Sequence, residues 1–91
     1  MKIDDKHKPM SDLKQQMADA AAKVEPGALY RHYRAGDFRV QGFVILEADE
    51  TVAVRYAKVE EPDVAFVRAL SSWLETVEFN GKNVLRFTKI I

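Results

Sequence analysis

The chain has 91 residues, 47% hydrophobic and 10% aromatic, with no cysteine, and its 14 basic residues balance its 14 acidic ones. That length calls for one small domain, and the apolar share supports a packed core rather than a disordered chain. Lack of cysteine excludes disulfides and thiolate metal sites, and the neutral balance lacks the dominant basic footprint that usually marks a nucleic-acid binder.

Residues 1–10 read as a flexible polar arm that includes Pro9. Met1 to Lys8 is charged with no apolar run behind it, so no secretory leader is expected. No segment approaches the ~20 apolar residues of a membrane span. A cytoplasmic protein is the expectation. His7, alone among charges, is expected to be solvated rather than metal-bound.

Residues 11–26 form the next unit, helical over 11–24. Ser11 is the expected N-cap, since its hydroxyl can accept from an orphan amide of the first turn. Leu13, Met17, Ala20, Ala21 and Val24 recur at helical spacing, and Asp19 and Lys23 are a favourable i,i+4 pair. Pro26 and Gly27 stop the helix. The apolar stripe is too thin for a short helix alone in water. It must pack either on the rest of its own chain or on a second copy, giving a homodimer through 11–24.

From Leu29 the period changes to two, and residues 27–91 read as a small β domain. Tyr30, His32 and Arg34 share one face, and Leu29, Arg31 and Tyr33 the other. Ala35-Gly36-Asp37 supplies a turn. Phe38, Val40, Val44 and Leu46 then alternate with polar residues, and Gly42 marks a bulge or bend. Ala48-Asp49-Glu50 turns the chain into a strand over Thr51–Val59. The acidic loop Glu60-Glu61-Pro62-Asp63 leads to a strand over Val64–Leu70. Ser71-Ser72-Trp73 breaks the alternation, as a single 3₁₀ or helical turn would. Leu74–Phe79 and Lys82–Phe87 flank Asn80-Gly81, the preferred centre of a two-residue hairpin turn. Lys89-Ile90-Ile91 is expected to be pinned to the sheet. Short strands joined by brief turns imply antiparallel neighbours, and the large apolar residues on both faces favour closure into a barrel. The fold class is therefore mainly β: a small barrel of five to six antiparallel strands with one N-terminal α-helix.

Several of these segments resemble a known family. Gly27-x-x-Tyr30-Arg31-His32-Tyr33-Arg34-x-Gly36, then Phe38-x-Val40-x-Gly42, Val54-x-Tyr56, Phe66-Val67-Arg68-x-Leu70, and Glu75-Thr76-Val77-x-x-x-Gly81-x-x-x-x-Arg86-Phe87 match in order and spacing. Together they resemble a small bacterial family, domain of unknown function 1653, over residues 27–87. The resemblance implies an SH3-type small barrel and carries no activity with it. The chain departs from the family pattern in two places. It keeps only Glu50-Thr51 of a His-Ser-Glu-Thr-like stretch, and has Phe66-Val67-Arg68-Ala69 where Trp-Val-Arg-Pro is usual.

The densest polar-aromatic cluster is Tyr30, Arg31, His32, Tyr33 and Arg34; Arg68 stands in an otherwise apolar strand. Rings offer stacking surface, and guanidinium grips carboxylate or phosphate bidentately. These six residues form the candidate partner surface. Glu75 is the expected ionic partner of Arg68, and Trp73 is expected in the core. No catalytic residue, cofactor or metal site is assigned. Nucleophile, base and orienting group do not assemble, and no glycine-rich phosphate loop exists. The chain reads as a non-catalytic module that binds a protein segment or small anionic ligand. Single-stranded nucleic acid ranks behind that, and a small enzyme using His32 comes last.

Overall fold

The change of hydrophobic period near Leu29 divides a helix from a sheet. The structure, a computed structural model, describes residues 7–91. Helix α1 runs Met10–Lys23, and the strands that follow are β1 (Leu29–His32), β2 (Gly36–Leu46), β3 (Thr51–Lys58) and β4 (Ala65–Ala69). One helical turn, α2 (Leu70–Trp73), precedes β5 (Thr76–Phe79), β6 (Lys82–Leu85) and β7 (Phe87–Lys89). Among the described residues, no helix is long and apolar enough to cross a membrane.

Helix α1 begins one residue earlier than expected. Pro9 occupies the cap position and no side chain caps the helix, so Ser11 lies inside the first turn. Proline's missing amide costs nothing there. Asp19 accepts from Gln15 Nε2 at 2.9 Å. Ala20 and Val24 are buried and Ala21 is exposed, so the apolar stripe is narrower than its spacing implied. α1 packs on β2 and β3 of its own chain. Gln16 fastens it there, donating to the Glu50 carbonyl at 2.9 Å and accepting from the Val52 amide at 3.2 Å. Most of the expected N-terminal arm lies outside the described residues. Of the rest, the Lys8 amide donates to the Glu50 carboxylate at 2.7 Å, and His7 also contacts that carboxylate.

The main sheet has the order β4-β3-β2-β1-β7, and β5-β6 form a separate two-stranded ribbon; every pairing is antiparallel. The register of β2 on β3 shifts between Val40 and Gly42. Gly42 takes a φ of 151°, which L side chains avoid, so the glycine in this strand is the bulge its position implied. Asn80 and Gly81, at φ 55° and 76°, supply the hairpin turn between Phe79 and Lys82. Gly81→Ala is expected to lower stability by about 1 kcal/mol, read from urea unfolding, because a Cβ is strained at positive φ.

Among the described residues the strands do not close a barrel, and they number seven rather than five to six. β4 and β7 are left as the two edges of the main sheet. The reason is local. The Asn80-Gly81 turn folds residues 76–85 back on themselves, so this hairpin pairs within itself instead of adding to β4. The expected strand over Lys82–Phe87 also breaks at Arg86. Beyond the break, Phe87–Lys89 crosses to β1, with Tyr30 opposite Lys89 and His32 opposite Phe87. The Ile90 amide donates to the Leu29 carbonyl and the Leu29 amide to the Ile91 carbonyl, so the C-terminal residues are pinned as expected.

The core is aromatic. The Trp73 ring stacks on Phe87 at 3.6 Å with a 3° interplanar angle, and Tyr30 and Tyr56 meet Trp73 edge-on at 5.5 and 4.9 Å. Phe38, Val40, Val54, Val24 and Ala28 complete the cluster. The one-turn α2 exists to deliver Trp73 into it.

Candidate functional site

At one end of this core the aromatic cluster reaches the surface. His32 from β1, Phe38 from β2, Tyr56 from β3, Phe66 and Arg68 from β4, and Phe87 from β7 line a groove of about 270 Å³. Six side chains from five strands meet because each sits on the same face of the curled sheet, as two-residue alternation requires. The register fixes the neighbours: Tyr56 lies opposite Phe66, and His32 opposite Phe87.

His32 is held by its own turn. Its Nδ1 accepts the amides of Arg34 at 3.1 Å and Ala35 at 3.2 Å. Nδ1 is therefore the lone-pair nitrogen, and the ring proton sits on Nε2. The ring meets Phe87 edge-on at 5.0 Å and lies 4.7 Å from Tyr33. Burial, followed by the positive charges of Arg68, Arg86, Arg34 and Lys58, holds the His32 pKa below its usual 6.5. The neutral ring is thus the folded form, while the unfolded chain takes the proton more readily. His32's contribution to stability is full above about pH 6.5 and is lost as pH falls from there through the lower folded value. The His32 ring signal is expected to titrate with a midpoint below 6.5 by NMR, and thermal stability to fall over that window. His32→Asn keeps an acceptor near Nδ1 but takes no proton, and should flatten that fall.

Cations frame the groove. Lys58 Nζ lies 4.9 Å from the Phe38 ring centre and donates to the Ala35 carbonyl at 2.7 Å. The Arg68 guanidinium lies 5.9 Å from the centre of Phe87, and its Nη1 donates to Ser72 Oγ at 2.9 Å. Arg68 Nε is buried with no hydrogen-bond partner. Glu75 does not pair with Arg68. It accepts instead from Arg86 Nη2 at 2.8 Å, while Arg86 Nε donates to the Ser72 carbonyl at 3.0 Å. The break at Arg86 brings the 75 and 86 backbones together, with the Arg86 amide on the Glu75 carbonyl at 3.0 Å, and so decides this exchange.

The sequence cluster at 30–34 is divided. Tyr30 is only 6% exposed, packs on Trp73, and accepts the Glu25 amide at 2.9 Å. It belongs to the core rather than to a surface. Arg31 points outward and binds Asp37 with two contacts, 2.8 and 3.2 Å. Tyr33 is half-buried against Phe79 at 5.4 Å, joining the β1–β2 turn to the ribbon. Arg34 is exposed, and its backbone serves His32. Only His32 and Arg68 line the groove. Phe38, Tyr56, Phe66, Phe87 and Lys58 were not singled out as site residues. In a sequence they look like ordinary alternating strand residues, and only the curl of the sheet shows that they converge.

No curated protein and no solved structure matches the chain. A family match covers residues 28–89, the whole β portion up to Lys89. His32, Phe38, Tyr56, Phe66, Arg68 and Phe87, which line the groove, all fall in the segments that carried the resemblance. The chain is a member of the family of unknown function DUF1653.

Proposed function

We propose that the chain is a non-catalytic binding module whose groove takes an anionic group carried on an apolar body. One observation carries this reading: the charged side chains that line the groove, Lys58 and Arg68, are hydrogen-bond donors, and one of their atoms, Arg68 Nε, is buried without an acceptor. An unsatisfied buried donor is costly, and the guanidinium, turned toward the groove, would be relieved of that cost by an incoming carboxylate oxygen. The rings of Phe38, Tyr56, Phe66 and Phe87 supply a dry wall for the body of the ligand. His32 is read as a positioning group rather than a base. With two amides on Nδ1 and the proton on Nε2, the neutral ring has no lone pair left for proton abstraction.

The sheet itself is read as an SH3-type small barrel open at its seam between β4 and β7, bent by the bulge at Gly42. A cytoplasmic location belongs to the same reading, in keeping with a chain free of cysteine.

The test is titration with 3-phenylpropionate and with its neutral amide at low salt, followed by amide shifts. The acid is expected to bind roughly tenfold or more tightly than the amide, since a hydrogen bond to a charged group is worth about 1.5–3 kcal/mol. Shifts should gather at His32, Ala35 and Arg68. Equal binding of acid and amide, or shifts confined to other faces, would overturn the reading.

Single-stranded nucleic acid is the second reading, favoured by cations set against aromatic rings. The 14 basic residues only balance the 14 acidic ones, so the chain lacks the dominant cationic footprint that such a partner calls for. A mixed oligonucleotide that binds at low salt and weakens steeply with added salt would favour it over the carboxylate reading.

A further inference from the structure

We infer that the groove's natural occupant is an extended acidic segment of another protein, added as a strand to the free edge of β4. This rests on the anion-binding reading above and names the partner. Its independent support is the edge itself. β4 pairs with β3 on one side and with nothing on the other. Large apolar residues are exposed along it on both faces: Phe66 46% on the groove face and Val67 51% on the opposite one, with Val64 52% just before it. Folded chains usually blunt such an edge with charge, proline or a bulge. Here the strand is regular and carries a single charge, Arg68.

A strand laid on this edge would satisfy its unpaired backbone groups and set alternate side chains on its two faces. On the groove face, a residue beside Arg68 meets its guanidinium, whose Nε has no partner, in a groove that Lys58 also lines. The complementary residue there is Asp or Glu. Apolar neighbours on the incoming strand would cover Phe66 and Val67. A second copy of β4 does not meet this demand. Residues 64–70 contain no acidic residue, so a second copy of β4 would offer Arg68 no carboxylate from within the strand.

The experiment uses the full chain and three blocked pentapeptides. One has a single glutamate among valines, one has glutamine in its place, and one keeps the glutamate beside a central proline. Readouts are affinity and the exchange rate of those amides of residues 65–69 that point away from β3. The expected result is binding of the glutamate peptide, tenfold or greater loss with glutamine and with proline, and slowing of those amides by tenfold or more. If the glutamate and proline peptides bind alike without slowing, or if 3-phenylpropionate binds and no peptide does, strand addition is overturned while the anion groove stands. If neither peptide nor phenylpropionate binds, the groove reading fails and takes this inference with it. If the chain alone sediments as a dimer that Val67→Lys dissociates, the edge belongs to a second copy and the acidic partner is wrong.

Discussion

Trp73→Ala is expected to lower the unfolding free energy by about 3–5 kcal/mol, the range for truncating a buried large aromatic. The residue is 2% exposed and contacts Phe87, Tyr56 and Tyr30 at once. Those rings come from β7, β3 and β1, so the indole is the piece that ties α2 to three strands. Small domains are stable by only about 5–15 kcal/mol, so the loss is a large share of the total. The melting temperature should drop by roughly 12 °C or more. Urea unfolding measures the effect directly, and a loss below about 1 kcal/mol would mean that the core is organised around something else. Trp73→Phe should recover part of the loss, because it keeps a ring to stack on Phe87.

Arg68→Met is expected to act in opposite directions on stability and on binding. The arginine keeps a buried Nε without an acceptor, and its charge contributes to holding the His32 pKa down. Methionine has similar length and no donor to desolvate. Replacing a partly buried charge that carries an unpartnered donor by an apolar residue is commonly neutral or stabilising. The loss of the bond to Ser72 offsets part of that gain. The net expectation is a stability change between zero and about +1 kcal/mol. Binding of 3-phenylpropionate, by contrast, should fall roughly tenfold or more. A variant that is more stable and less able to bind is the signature of a residue kept for function. Strong destabilisation with binding retained would make Arg68 structural. The His32 ring offers an independent check: its pKa should rise toward 6.5 once the Arg68 charge is gone.

Local chemistry was legible in the sequence where it was short-range. Asn80-Gly81 specified the hairpin, Gly42 the bulge, and Ser71-Ser72-Trp73 the helical turn that buries the tryptophan. Residues Leu29–His32 and Thr51–Lys58 showed their strands by alternation alone. Long-range pairing was not legible. Nothing around Arg86 announces that Lys82–Phe87 splits, because Val84, Leu85 and Phe87 continue an apolar run. The split makes β7, pairs it with β1, and turns Glu75 toward Arg86 instead of Arg68. Barrel closure was over-read for the same reason. The hairpin at 76–85 pairs within itself as a separate ribbon and adds no strand to the main sheet.

The site was half legible. The 30–34 cluster drew attention because tyrosine and arginine crowd together there. Yet alternation sends Tyr30 inward to Trp73 and Arg31 outward to Asp37, leaving His32 at the groove. The same parity places Phe38, Tyr56, Phe66 and Phe87 around it. Which end of that face stays open to solvent depends on where α1 and α2 cover the sheet. That is a property of packing and not of any one segment.

The central claim is that the groove holds a donor awaiting an acidic oxygen. The side-chain Nε–H resonance of Arg68, followed by NMR as 3-phenylpropionate is added, reports on it most directly. The account predicts that this proton moves downfield and exchanges more slowly with water as the acid saturates. An Arg68 Nε–H signal that stays unmoved while ligand binding is complete would contradict it.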